Sequence, residues 1–342
     1  LAMPMPTVEW LVGNCIPSGD LTIIGGRAKV GKTRLANALV RCLLRNEDFL
    51  GFGNAQNVTK IILVTDDQGD GDTAEMLQQL GLWDHPALLW SRRFRVTESN
   101  IDKLLDVIAA NPGAVVILDS LRSITRSTAF GENDPEMGGL IYDLKQQIID
   151  AGGTAIVIHH CNKSNDSTGT EALSGHNAIA GAANTIITLH YLAKGQRLLK
   201  DSPQRRFVRE ARSGPPADLV VSLIAGSGTF CREGEFEAYQ EQQDNTGQGE
   251  QLEALMKKEP DDVQEALRLL HVLHKAGNNN PPGLMDICKA VRIAPHTAMR
   301  VGDLEKTEAS AYKRMGIALG QRLGAMVNAQ RVRRPCVLSL IA

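Results

Sequence analysis

The segment LTIIGGRAKVGKT, residues 21–33, carries residue types that grip phosphate at the spacing this chemistry requires. Gly26, then Arg27, Ala28, Lys29 and Val30, then Gly31, Lys32 and Thr33 satisfy the phosphate-loop pattern. The glycines let successive backbone N–H groups curl round phosphate oxygens, and the following helix adds positive potential at its N-terminus. Lys32 reaches the β- and γ-phosphate oxygens, and the Thr33 hydroxyl completes a Mg2+ shell. The pattern carries weight because of its setting. An apolar strand ends at Gly25, and Leu35, Ala36, Leu39, Val40 and Leu43 recur at helical spacing after Thr33.

Three further stretches offer chemistry. VVILDS, residues 115–120, ends an apolar strand in Asp119, whose carboxylate can hold Mg2+ through water beside the phosphate loop. IILVTDDQ, residues 61–68, ends another strand in Asp66 and Asp67. Hydrolysis needs a carboxylate to orient and deprotonate the attacking water, and the residues alone leave both aspartates eligible. The following QGDGD resembles a calcium loop, but Leu77 stands where its closing glutamate belongs, so the calcium reading fails. VIHHCNKS, residues 157–164, looks like the start of a metal site, with His176 a short loop away. Zinc wants four ligands on one frame, and Cys161 has no second close cysteine.

These residues need a frame. From about Val8 to Phe230, short β-branched runs alternate with helical stretches, the pattern of an α/β parallel sheet. The spacing predicts strands at Leu21–Ile24, Ile61–Thr65, Val115–Leu118, Thr154–His159 and Thr185–Leu189. It predicts helices at Thr33–Arg45, Asp72–Leu80, Asn100–Ala110 and Pro135–Asp150. Near-continuous apolar runs such as AVVIL suit strands covered on both faces. Arg206–Arg212 and Leu219–Ile224 flank the turn SGPPAD and read as an antiparallel pair. The expected organisation is a core over residues 1–234, a polar linker over 235–250 and a helical unit over 251–342, closing on strand-like pieces at Gln330–Arg333 and Cys336–Ile341.

The 342 residues, 43% hydrophobic and 22% charged with a formal charge of −2, describe an ordinary globular protein. That charge excludes a chain basic all over, so any nucleic-acid contact must come from local patches or from a groove built by several subunits. Six scattered cysteines read as reduced thiols in the cytoplasm, and no apolar run approaches a membrane span. The chain opens on Leu1, which leaves room for an upstream domain.

The ordered set VEWLV, GGRAKVGKT, LVTDDQ, VVILDSLRS, IVIHHCNKS, GTEALSGHNAIAGAANTIITL and REARSGPP resembles the RecA-fold ATPases of the plasmid RepA type, relatives of the DnaB-like hexameric replicative helicases, over roughly residues 8–230. The resemblance implies a RecA core, a homo-oligomeric, hexameric ring, ATP hydrolysis with Mg2+ at subunit interfaces, and single-stranded DNA through the centre. A priming domain or partner is a further expectation. Lys32, Thr33 and Asp119 take the nucleotide and Mg2+ roles, and Asp66 falls where the family has a catalytic glutamate. Arg212 matches the arginine that such proteins donate to a neighbour's nucleotide. Their accompanying lysine corresponds to Glu210, leaving Arg209 as the nearby cation. Loop 162–181 resembles the DNA-facing loop; it is rich in small residues suited to phosphate contacts, with Lys163 as its nearby cation. VIHHCNKS resembles a stretch in which a polar side chain reads the γ-phosphate. Strand alternation lets one histidine point at the nucleotide while the other packs, and His160 is the choice.

The tail segment LMDICKAVRIAPHTAMRV reads as helix–turn–helix, and the chain then runs into a basic hairpin with Arg322, Arg331, Arg333 and Arg334. It resembles the winged-helix units that end phage and plasmid helicase-primase proteins. The expectation is an ATP-driven helicase or translocase. The alternatives are a regulatory or assembly ATPase of the same fold, and a DNA-binding module that uses ATP only to oligomerise.

Overall fold

The computed structural model describes residues 7–53, 58–66, 68–162, 167–194, 197–243, 326–330 and 337–341, in two compact units, Leu1–Phe236 and Glu237–Ala342. In the first, β1 (Trp10–Val12) and β2 (Ile16–Pro17) form a small antiparallel ribbon. The chain continues through β3 (Leu21–Gly26), α1 (Lys32–Arg45), β4 (Ile61–Thr65), α2 (Asp70–Gln79), β5 (Leu88–Arg92) and α3 (Glu98–Ala109). There follow β6 (Val115–Asp119), α4 (Leu121–Ile124), α5 (Pro135–Asp150), β7 (Thr154–His160), α6 (Gly169–Ala172), α7 (Asn177–Ala182) and β8 (Thr185–Tyr191). The short β9 (Ala193–Lys194) and β10 (Arg197–Leu198) precede β11 (Gln204–Ala211), β12 (Ala217–Leu223) and β13 (Phe230–Glu235). In the second unit, β14 (Met326–Gln330) and β15 (Val337–Ile341) pair antiparallel.

Among the described residues the central sheet has nine strands, in the order β13-β12-β11-β8-β3-β7-β6-β4-β5. From β8 to β5 all neighbours are parallel, and β11, β12 and β13 extend the sheet antiparallel. This is a mixed α/β fold with a large, mostly parallel sheet, consistent with a RecA-like core. Strand alternation explains the apolar runs. Ile24, Ile61, Ile117, Ile156 and Ile158 pack against Leu35 and Leu39 of α1. Their neighbours Ile23, Ile62, Leu118 and Val157 pack on the other face, against Leu104 and Ile108 of α3 and Ile141 and Leu144 of α5. Burial on both faces leaves only strand ends and loops to carry polar function.

Several boundaries depart from expectation. β5 was not foreseen: LLWSR is half-buried edge strand with no β-branched residue. β13 adds a third strand to the expected antiparallel pair. Residues 236–243, expected as part of the linker, are helical, and the Arg206 guanidinium lies 3.9 Å from the Phe236 ring centre. Polarity without apolar spacing describes an exposed helix as well as a linker. The first tail strand ends at Gln330 instead of starting there. The expected helices of 251–325, and Arg322, Arg331, Arg333 and Arg334, lie outside the described residues.

Arg209 corrects one reading. It is fully buried, among the largest such side chains, so it is no available cation for a neighbour's phosphate. Its Nε donates to the Cys15 carbonyl at 2.8 Å, Nη2 to that of Ser213 at 2.7 Å, and Nη1 to that of Pro215. The guanidinium lies 5.9 Å from the Trp10 ring centre. A planar fork with five donors thereby ties the β1–β2 ribbon to the β11–β12 turn. Truncation strands those carbonyls, so Arg209→Ala lowers stability by about 3 kcal/mol or more in urea unfolding; a loss below about 1 kcal/mol contradicts this role.

Candidate functional site

The strand–helix junction after β3 is built by its glycines. A Cβ on Gly26 would lie 2.8 Å from both the Leu189 carbonyl oxygen and the Val30 side chain, so only glycine fits between β8 and the loop. Lys29 and Gly31 have φ of 65° and 113°, which curls the loop before α1 begins. Lys32 is buried, and its Nζ donates to the Gly26 carbonyl at 2.9 Å and to that of Arg27 at 3.0 Å. The ammonium is thus folded over the loop it belongs to. Arg205, at the start of β11, holds the loop from outside. Its Nε donates to the Val30 carbonyl at 2.9 Å, and its guanidinium lies 4.6 Å from the Tyr191 ring centre. No pattern in the sequence pointed to Arg205, because 175 residues separate it from Val30.

Thr33 and Asp119 are joined directly: Thr33 Oγ1 donates to Asp119 Oδ2 at 2.6 Å. β7 lies between β3 and β6, so this hydrogen bond spans an intervening strand. Asp119 is buried on the α1 side of the sheet. A hydroxyl and a carboxylate side by side are the hard oxygen donors that suit Mg2+, so the residues present fit that ion.

The two histidines divide as alternation requires. His159 is buried on the α3–α5 side, with Nε2 2.8 Å from the Ser174 carbonyl, and burial pushes its pKa below the ordinary value. Since that carbonyl can only accept, Nε2 carries the proton of the neutral ring. His160 is half-buried, pairs in register with Gly26, and falls on the α1 face. Burial also pushes the Cys161 thiol up to about 12, far from the thiolate that zinc prefers. Among the described residues, no group of three or more His, Cys, Asp and Glu could hold a metal ion.

Asp66 follows β4 at the same sheet edge. Its backbone N–H donates to the Asp119 carbonyl at 3.0 Å, and its carboxylate pairs with Arg95 at 2.6 Å. Its strand neighbour Thr65 accepts from Trp90 Nε1 at 2.6 Å. Arg95, beyond β5, gave no signal in the sequence. Asp67 and Lys163 lie outside the described residues.

Arg212 lies elsewhere. Ala211 pairs with Thr185, and Thr185 with Thr22, so Arg212 is at the edge where β3 begins. The phosphate-binding pattern starts four residues further along β3, about 13 Å away at the rise of an extended strand. Arg212 is exposed; its N–H donates to the Asn184 carbonyl at 2.9 Å and its Nη2 to that of Gly181.

Lys32, Thr33, Asp119 and His160 therefore converge at one edge of a parallel α/β sheet around a glycine-rich strand–helix turn. Residues 1–166 match a family described as an AAA domain (AAA_25). Among solved structures the chain is similar to a DnaB-like replicative helicase, described together with its interactions with primase. The two are 13% identical with a TM-score of 0.49, over 62% of this chain and 57% of that one. This chain thus spans just over half of that structure's length. No curated protein matches it. Among the described residues, no helix is long and apolar enough to cross a membrane.

His190, at the end of β8, is pushed down to about 4 from an ordinary 6.5 by burial, then by the charges of Arg206 and Arg27, against a small opposing effect of Asp218. Its Nε2 lies 2.8 Å from Thr188 Oγ1. As pH falls, the unfolded chain binds the proton first. The stability associated with a neutral His190 is therefore complete above about pH 6.5 and is lost toward about pH 4; His159 acts in the same direction. The thermal midpoint should hold near neutrality and decline below about pH 6.5, with His190→Asn giving a shallower decline between about pH 6.5 and 5. An unchanged slope in that variant refutes the assignment.

Proposed function

We propose that this chain is a cytoplasmic, ATP-hydrolysing, ring-forming helicase or translocase on single-stranded DNA in plasmid, phage or mobile-element replication. The observation that carries the reading is the direct Thr33–Asp119 hydrogen bond beside Lys32, a phosphate grip and a cation site in one place. The AAA domain match over residues 1–166 supports the nucleotide part.

The loop N–H groups and Lys32 would hold the β- and γ-phosphates in line. Thr33 and Asp119 would hold Mg2+, which when bound polarises the phosphate oxygens and neutralises their charge. Asp66 would orient the attacking water and accept its proton. His160, beside Gly26, would read the γ-phosphate. Arg212 is at the opposite edge from its own phosphate loop, which supports donation to the nucleotide of another copy and hence a closed ring. The small-residue loop 169–181 would meet DNA phosphates.

One observation favours a second reading, a regulatory or assembly ATPase that switches partners without unwinding. The candidate base is an aspartate, one C–C bond shorter than glutamate, and Arg95 holds it in an ion pair. Such a site hydrolyses slowly until something releases the carboxylate.

ATP turnover with and without single-stranded DNA separates the two. Strong stimulation supports the motor; equal turnover in both conditions supports the switch. Lys32→Ala should abolish binding or hydrolysis, and parental turnover in that variant would refute the phosphate-loop role. Arg212→Ala should bind ATP without turning it over. Mixed with an Asp66→Asn, Asp67→Asn double variant it should regain part of the activity, and the absence of rescue would count against an arginine donated between copies.

A further inference from the structure

Glu210 stands at the position where the resembling family has a second cation, yet its carboxylate is engaged within its own chain. Oε2 of Glu210 accepts from the Thr170 N–H at 2.9 Å and from the Thr170 hydroxyl at 2.7 Å, fastening α6 to β11. Neighbouring geometry is built for this contact. Gly169 is buried with φ of 57°, and its N–H donates to Thr188 Oγ1 at 3.0 Å. A Cβ on Gly169 would lie 1.9 Å from Glu210 Oε1 and 2.1 Å from its Cδ. Only a glycine in this left-handed conformation lets the carboxylate reach the backbone of Thr170.

The same strand grips the far end of that loop. Two residues beyond Glu210, Arg212 binds the carbonyls of Asn184 and Gly181 through its N–H and guanidinium. Residues 169–184 are therefore held at one end by Glu210 of β11 and at the other by Arg212, the residue that follows β11.

We propose that Glu210 is a positioning residue that couples the 169–181 loop to the strand carrying Arg212, so that engagement of Arg212 by a nucleotide on another copy moves the loop that meets DNA. This rests on the reading of residues 169–181 as DNA-facing.

The test measures ATP turnover against single-stranded oligonucleotide concentration for the parental chain, Glu210→Ala and Glu210→Gln. The oligonucleotide concentration giving half-maximal stimulation should rise about tenfold in Glu210→Ala. KM for ATP without DNA should stay within about twofold, a split that general loss of structure does not produce. Glu210→Gln keeps one acceptor oxygen and should recover most of the parental response. If Glu210→Ala does not fold, Glu210→Asp, whose shorter side chain draws the carboxylate back from Thr170, carries the test by the same split. A stimulated parent whose Glu210→Ala or Glu210→Asp variant keeps the parental half-saturating concentration overturns the coupling alone. A parent that oligonucleotide does not stimulate overturns the DNA reading and the coupling with it.

Discussion

A parallel sheet covered by helices on both faces has nowhere to put polar groups except at the ends of its strands, and all its parallel strands end on one side. Ile158 of β7 faces α1 while Val157 faces α3 and α5, and the strands around them follow the same division. The strands then end within two residues of one another, at Gly26, Asp119 and His160. The Thr33–Asp119 hydrogen bond and the folded-in Lys32 are possible because three strands of one register deliver their last residues to the same edge. The constraint that stabilises the core therefore also builds the site.

The antiparallel extension uses the opposite logic. β11 runs against β8, so its beginning is level with the phosphate loop and its end is level with the start of β3. Arg205 at one end touches the loop at Val30, and Arg212 at the other is far from it. One strand thereby spans the sheet from the glycine-rich turn to the opposite edge. Side chains along it and just beyond it have distinct duties: Arg205 clamps, Arg209 is buried as a structural tie, Glu210 anchors and Arg212, after the strand, remains exposed.

Much of this was legible in the sequence, and the remainder was hidden for physical reasons. Buried parallel strands announce themselves because both faces demand β-branched residues, and the phosphate-loop pattern is local in the chain. The helix Pro135–Asp150 was read to the residue because proline opens it and Gly152 follows it. β5 escaped because an edge strand need bury only part of itself, so LLWSR carries no apolar rhythm. Arg95 with Asp66, and Arg205 with Val30, escaped because long-range pairing leaves no spacing to read. Arg209 was misjudged because charge argues for a surface, whereas three backbone carbonyls can satisfy a guanidinium inside. Asp67, Lys163 and the helices expected over 251–325 fall outside the described residues.

The buried arginine has a consequence for where this domain can be cut. Its partner at Cys15 belongs to the β1–β2 ribbon, which precedes the first strand of the central sheet. A chain trimmed to begin at β3 would keep every described strand of that sheet and the whole glycine-rich turn with Lys32, Thr33 and Asp119. It would nevertheless leave a guanidinium in the interior with one carbonyl gone and the Trp10 ring removed from beside it. The structural boundary on the N-terminal side is therefore set by an interior charge, upstream of the candidate site.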